Sequence, residues 1–297
     1  MLTVSRPTQN IGDPAVRRSG VVVSPVVLVT GCSSGIGLAT AVHFARNGCT
    51  VAATMRSLER SGALRSALDE AGADADVRQL DVDSDASVAA AVAGVVADHG
   101  PIDIVVSNAG VGVAGTTEEL SLDDFRASIE TNVFGPVRLL HAVLPSMRER
   151  GDGRFIALSS ISGSLGLPFN DAYCASKHAL EGLLESLFPV AARLGVYVSI
   201  VQPGPVTGEF VTNSTGPSGA LEGAPYAAMR AVFAGVQAGG YETAQTNEDV
   251  AEVVWQVANA ERPVLRYQTS ESVAKLVGLK LKDLSGERVT AVTSRWV

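Results

Sequence analysis

Val26-Val27-Leu28-Val29-Thr30-Gly31-Cys32-Ser33-Ser34-Gly35-Ile36-Gly37 is the stretch that decides the fold. Val26 to Thr30, after Pro25, is a short β-branched apolar run and reads as a strand. Gly31 ends it, small residues follow, and a helical pattern runs from about Ile36 to Asn47, stopped by Gly48. A glycine-rich turn between a strand and a helix lets backbone come close to a diphosphate, which meets free N–H groups and the positive end of the helix dipole. Gly31, Ser33, Ser34, Gly35 and Ile36 are candidates for that contact, and Gly37 lets helix and strand pack closely. Glycine turns of this kind also occur as plain connections; the placement directly after a strand and before a helix favours a ligand.

The same rhythm extends outward. Strands are expected at Thr50 to Thr54, Val77 to Val82, Ile102 to Ser107, Arg154 to Leu158 and Val196 to Val201. Helices are expected at Ser57 to Ala71, Asp85 to His99, Leu122 to Arg150 and Tyr173 to Arg193, the last kinked or ended near Glu185 by Pro189. Strands alternating with helices require crossover connections, hence a parallel sheet covered on both faces. Asn247 to Ala258 and Ser270 to Leu281 read as further helices, with Leu265 and Tyr267 in a last strand. The fold class expected is α/β: a doubly wound Rossmann fold with a parallel sheet of about seven strands. Residues 1–25 read as a mobile tail and 26–297 as one domain. Gly208, Gly216, Pro217, Gly219, Gly223 and Pro225 break the pattern within about 207–240, as in a substrate lid.

Composition narrows the function classes. A net charge of -8 argues against nucleic acid as the main partner. Three Cys without CxxC spacing fit reduced thiols in a cytoplasm, not a disulfide framework. No run of 18 apolar residues is present, so no integral membrane segment is expected. His43, His99, His141 and His178 are scattered without metal-ligand spacing, so no metal is expected.

Four further signals carry chemistry. A carboxylate commonly ends the second strand of such folds, to bond the 2′-OH of NAD. Here Met55 stands there, followed by Arg56, whose guanidinium can pair with a 2′-phosphate. The sequence thus favours NADP, unless Arg56 is a solvated helix-start residue. Asp81, with Val82, ends the third strand, where it can bond an adenine amine. Asn108-Ala109-Gly110 forms a turn at the carboxyl edge of the sheet, where ligands bind. Ser160 follows a strand, and Tyr173 and Lys177 lie on one face of the next helix at i, i+4. A phenol near pKa 10 is a poor base, and the Lys177 cation favours its ionised form. Tyr173 can then exchange a proton with a carbonyl or alcohol oxygen that Ser160 holds. Asn132 can hold a water linking Lys177 to bulk. A Tyr and a Lys at this spacing are common on helix surfaces; the company of the glycine turn, Asn108-Ala109-Gly110 and Ser160 is what gives the pair meaning.

Together these motifs, from about Val26 to Phe210, resemble the short-chain dehydrogenase/reductase family. The resemblance implies a nicotinamide cofactor, a catalytic set of Asn132, Ser160, Tyr173 and Lys177, and homodimers or homotetramers. It favours Ser160 over Ser159. It also implies cofactor contacts from Pro203, Gly204, Val206 and Thr207, although Pro203-Gly204-Pro205-Val206 is followed directly by Thr207, where the family places its Thr two residues after the Val. Gly166-Leu167-Pro168-Phe169-Asn170-Asp171-Ala172-Tyr173-Cys174-Ala175-Ser176-Lys177 and Ala179-Leu180-Glu181-Gly182-Leu183 are similar to the branch of estradiol 17-beta-dehydrogenase type 1 and photoreceptor retinol dehydrogenase. So are Leu265-Arg266-Tyr267, Asp283-Leu284-Ser285-Gly286 and Val289-Thr290-Ala291. The branch implies NADP, and a His in the lid with a Glu near the end for a phenolic steroid. Residues 207–240 contain no His and Val292 to Val297 no Glu. The expectation is an NADP(H)-dependent oxidoreductase for a small, bulky, apolar carbonyl or alcohol, with Leu221, Tyr226, Met229, Val232 and Phe233 of the lid around it. The alternative is a non-catalytic NADP-binding redox sensor or scaffold, which has no use for Tyr173 and Lys177. A methyltransferase would want an acidic residue after the second strand.

Overall fold

The computed structural model describes residues 16–18, 21–208, 226–241 and 244–282, with positions 292 and 295. Seven parallel strands form the main sheet: β3 (Val26–Thr30), β4 (Thr50–Met55), β5 (Asp76–Gln79), β6 (Ile104–Ser107), β7 (Gly153–Leu158), β8 (Val196–Gln202) and β9 (Arg266–Gln268). Their order is β5-β4-β3-β6-β7-β8-β9. The winding reverses between β3 and β6. That reversal opens a crevice at the strands' carboxyl ends.

Alternation along the strands explains why the central ones are largely apolar. Leu28, Val105, Phe155 and Ile200 face α3 (Asp85–His99), α5 (Gly135–Arg150) and α6 (Asp171–Ala192), meeting Val92, Leu139 and Leu180. Val27, Val29, Val106 and Ile156 face α1 (Gly35–Arg46), α2 (Gly62–Ala71) and α8 (Asn247–Asn259), meeting Phe44, Leu64 and Trp255. Successive side chains go to opposite faces, so a sheet covered twice needs apolar residues at every position. Three more helices, α4 (Leu122–Ile129), α7 (Ala227–Tyr241) and α9 (Glu271–Leu281), lie beyond these two layers.

Several sequence expectations are corrected. Leu122 to Arg150 is helical throughout, as expected, but not regularly so: α4 and α5 are joined by a π-helical turn at Glu130–Phe134. Pro189 does not end α6, which continues to Ala192. Ala191 is buried in the core and Leu187 and Phe188 pack against it, so tertiary contacts hold the last turn despite one missing backbone donor. Ser57 to Ala71 begins as a 3-10 turn at Leu58–Arg60 before α2. The segment about 207–240 is not irregular throughout. Its glycines outweighed a run of good helix formers in the reading, yet Ala227-Ala228-Met229-Arg230-Ala231 opens α7. Within the segment read as a mobile tail, β1 (Val16–Arg18) and β2 (Val21–Val23) pair antiparallel. Residues 1–15, the lid portion 209–225 with Leu221, and the C-terminal motifs from Asp283 to Ala291 lie outside the described residues.

Candidate active site

The glycine turn is shaped by what lies against it. Gly31 has φ +75°, and a Cβ there would sit 2.9 Å from the Ala109 Cα. A Cβ on Gly37 would lie 2.3 Å from the Gly31 carbonyl oxygen and 2.4 Å from Asn108 Nδ2. Neither gap can widen without moving backbone. Gly37→Ala is therefore expected to overpack the turn and cost about 1–3 kcal/mol, read as a lowered Tm together with weakened dinucleotide binding. The Ser34 side chain makes no capping bond and no acidic residue lies in the first turn of α1, so its N–H groups and positive dipole end remain open to an anion.

Asn108 ties the two central strand ends together. Its backbone N–H and that of Ala109 donate to Thr30 Oγ1 at 3.0 and 3.1 Å, and its Nδ2 donates to the Thr30 carbonyl at 2.9 Å. This fixes the width of the crevice at the point where the sheet reverses. The crevice is a cleft of about 710 Å³. Every residue expected to touch cofactor lines it except Gly37, which packs behind the turn.

Ser160, Tyr173 and Lys177 meet at the cleft floor. Ser160 opens a 3-10 turn and its Oγ accepts from the Ser162 N–H at 3.1 Å. Its hydroxyl also bonds the buried Tyr173 phenol. Ser159 points away and donates to Glu181 Oε1 at 2.8 Å, so Ser160 is the serine that faces the cleft. Lys177 is buried, donates to the Leu158 carbonyl at 2.8 Å, and holds its Nζ 5.8 Å from the centre of the Tyr173 ring.

The electrostatics depart from the sequence expectation. Burial pushes the Tyr173 phenol well above its ordinary value, and the Ser160 bond only partly offsets that. Burial also pulls Lys177 down to about 8, against the Glu181 carboxylate, which raises it. Desolvation thus dominates at Tyr173 and makes the phenol a weaker acid, so its proton transfer depends on stabilisation of the phenolate.

Asn132 sits in the π turn, behind the cleft wall. Its Oδ1 accepts from the Val111 N–H at 2.9 Å, and its Nδ2 donates to the Val111 carbonyl and to Ser176 Oγ, both at 2.9 Å. The amide locks the loop after Asn108-Ala109-Gly110 onto α6. A Cβ on Gly110 would come within 2.9 Å of Asn132 Oδ1 and 3.6 Å of Lys177 Nζ, so glycine keeps this corner open.

One end of the cleft has apolar walls from Leu167, Phe233, Val236 and Leu276. Helix α7 is tied down beside it. Arg230 pairs with Glu119 and its guanidinium lies 4.7 Å from the centre of the Phe169 ring. The Tyr226 hydroxyl donates to Glu118. Phe169 packs on Phe233 with ring centres 5.6 Å apart, and adopts φ 58°, a left-handed backbone unusual for a bulky residue.

Residues 25–217 match the family model for short chain dehydrogenases. The chain is a short-chain dehydrogenase. It is 40% identical over 282 residues to human (Homo sapiens) 17-beta-hydroxysteroid dehydrogenase type 1, covering 92% of this chain and 85% of that one. It is also 40% identical over 277 residues to retinol dehydrogenase 8 of Bos taurus, covering 88% and 86%. A short-chain dehydrogenase/reductase from Burkholderia phymatum, solved in complex with NAD, superposes with a TM-score of 0.77 at 26% identity, covering 89% of this chain and 95% of that one. This short-chain dehydrogenase is accordingly an oxidoreductase acting on alcohols and carbonyls. Among its described residues no helix is long and apolar enough to cross a membrane.

Sequence reasoning missed several cleft residues of this dehydrogenase. Arg60 lies one 3-10 turn beyond Arg56 on the rim. Asn247, at the start of α8, donates to the Thr207 carbonyl at 3.2 Å and sits across from Gly35, closing the cleft between the glycine turn and Thr207. The Thr246 to Asp249 capping box marks that helix start. Leu276 reaches the cleft from α9, a placement that only tertiary packing creates.

Proposed function

We propose that this dehydrogenase uses NADP(H) to interconvert a bulky apolar ketone or aldehyde with its alcohol. The observation that carries the reading is the Ser160–Tyr173–Lys177 floor beneath apolar walls in one cleft with the glycine turn. The residues fit a dinucleotide: open N–H groups at α1, no room for side chains at Gly31 and Gly37, and the neutral Met55 where a 2′-OH reader would carry a carboxylate, with Arg56 next to it. When bound, the nicotinamide supplies or accepts the hydride. Ser160 holds the reacting oxygen by hydrogen bond, and Tyr173 donates or accepts the proton at that oxygen. Lys177 holds a positive charge beside the Tyr173 ring, which eases loss of the phenol's proton in the alcohol-oxidising direction.

The neighbour was solved with NAD and another of the same fold with NADP; Arg56 and Arg60 are what favour NADP here. Steroid and retinoid carbonyls suit the Leu167, Phe233, Val236 and Leu276 walls, and the two relatives are named for such molecules. The absence of a lid His and a terminal Glu speaks against a phenolic steroid. Homodimers or homotetramers and a cytoplasmic setting complete the reading; Cys32, Cys49 and Cys174 are free and buried. The test is a panel of ketosteroids, retinal and aryl ketones with NADPH and with NADH, followed by loss of nicotinamide absorbance. Turnover of apolar carbonyls with NADPH is expected; binding without turnover of any member would favour the sensor.

A further inference from the structure

Glu181 is a carboxylate buried in the core of α6, one turn beyond Lys177 and two beyond Tyr173. Spacing of four residues puts all three on one face. A buried carboxylate is costly unless well partnered, and this one has an unusual set. Ser159 Oγ donates to its Oε1 at 2.8 Å and Gln202 Nε2 donates to the same oxygen at 2.7 Å. Arg266 Nε donates to Oε2 at 2.8 Å. A Cβ on Gly163 would lie 2.5 Å from Oε1, so the turn after Ser160 closes directly over the carboxylate.

Two side chains one turn apart on α6 therefore grip two consecutive residues at the end of β7. Lys177 holds the Leu158 carbonyl and Glu181 holds the Ser159 hydroxyl. Ser160 is the next residue. The distance between Ser160 and Tyr173 is set by this double clamp. We propose that Glu181 is a positioning residue of the reaction: the buried anion that serves Lys177 as counter-charge and fixes the Ser160 turn against the Tyr173 helix.

Around Lys177 the ionisable groups are Tyr173 and Glu181 of its own helix; the π turn offers the neutral Asn132 and β7 the Leu158 carbonyl. Glu181 in turn faces Arg266 of β9, which also pairs with Glu185. Glu181 raises the Lys177 value against burial, leaving it at about 8. The ammonium is lost as pH rises through that value, so kcat for carbonyl reduction should show an alkaline decline there. Without the anion, the decline should move to lower pH. Without Arg266, the anion acts less cancelled and the decline should move to higher pH.

This rests on the assignment of Ser160, Tyr173 and Lys177, and the experiment separates the two. Wild-type kcat for reduction is measured from pH 6 to 10 with NADPH and the best carbonyl of the panel; no turnover at any pH would fail the assignment itself. Glu181→Gln keeps the shape and loses the charge. It is expected to lower kcat at neutral pH about tenfold and to shift the decline by about one pH unit downward, with KM for NADPH little changed. Arg266→Gln, on the partly exposed edge strand, is expected to shift the decline upward and carries the test alone should the first variant not fold. Opposite shifts are a signature that loosened packing does not produce. A decline that stays at the wild-type pH in the folded variants overturns the proposal.

Discussion

Replacing Tyr173 by Phe lowers kcat by roughly 10²–10⁴-fold, the range supplied by a positioned proton donor, and leaves the NADPH dissociation constant near its original value. The ring is buried and stays in place, so only the hydroxyl and its bond to Ser160 are removed. Loss of one such bond costs about 1 kcal/mol of stability, too little to unfold the domain. Lys177 keeps its bond to the Leu158 carbonyl and the cleft keeps its shape. Binding and chemistry should therefore part cleanly, and steady-state kinetics beside fluorescence titration of NADPH read both. Burial holds the phenol protonated at neutral pH but makes it a weaker acid, so its proton transfer depends on stabilisation of the phenolate in the reaction. Turnover retained in the Phe variant would remove Tyr173 from the reaction.

Arg56→Ala is expected to weaken NADPH by about 10–150-fold, the equivalent of the 1.5–3 kcal/mol of a charged hydrogen bond, while NADH binding stays unchanged. Arg56 directly follows Met55 at the end of β4, and its backbone is fixed by the Gln79 amide, which donates to the Arg56 carbonyl at 3.2 Å. The side chain is exposed on the rim, so its effect should shrink as ionic strength rises. Arg60 stands close by on the same rim and makes the double variant the more severe one. Titrating both dinucleotides against the single variant settles the matter: equal weakening of the two would take Arg56 out of phosphate recognition.

Much of this was legible because it is local. A strand, a glycine turn and a helix in succession leave few topologies, and right-handed crossovers then order the sheet. Tyr173 and Lys177 are one turn apart whatever surrounds them. What escaped was tertiary. Phe125, Ser128, Asn132, Leu139, Val143 and Met147 keep a helical period straight through the wider turn at Glu130–Phe134, so periodicity gives the helical run but not the π turn within it. The sign of the electrostatics at Tyr173 also escaped. Sequence spacing brings a cation near the phenol but says nothing of how completely both are stripped of water. Asn132 shows the same limit: the sequence suggests it as the holder of a water beside Lys177, whereas its amide is bound to Val111 and Ser176.

Phe169 occupies a backbone region that costs a non-glycine residue about 1–2 kcal/mol, and its ring is held by Phe233, Tyr226 and Arg230, all of them on or beside helix α7. Its carbonyl accepts from Gly115, and Tyr173 lies four residues on. The loop is thus a sprung catch, kept cocked by whatever rests on top of it. Any displacement of α7 would remove those contacts and let the segment leading into Tyr173 relax, which ties the backbone before that residue to the position of a neighbouring helix.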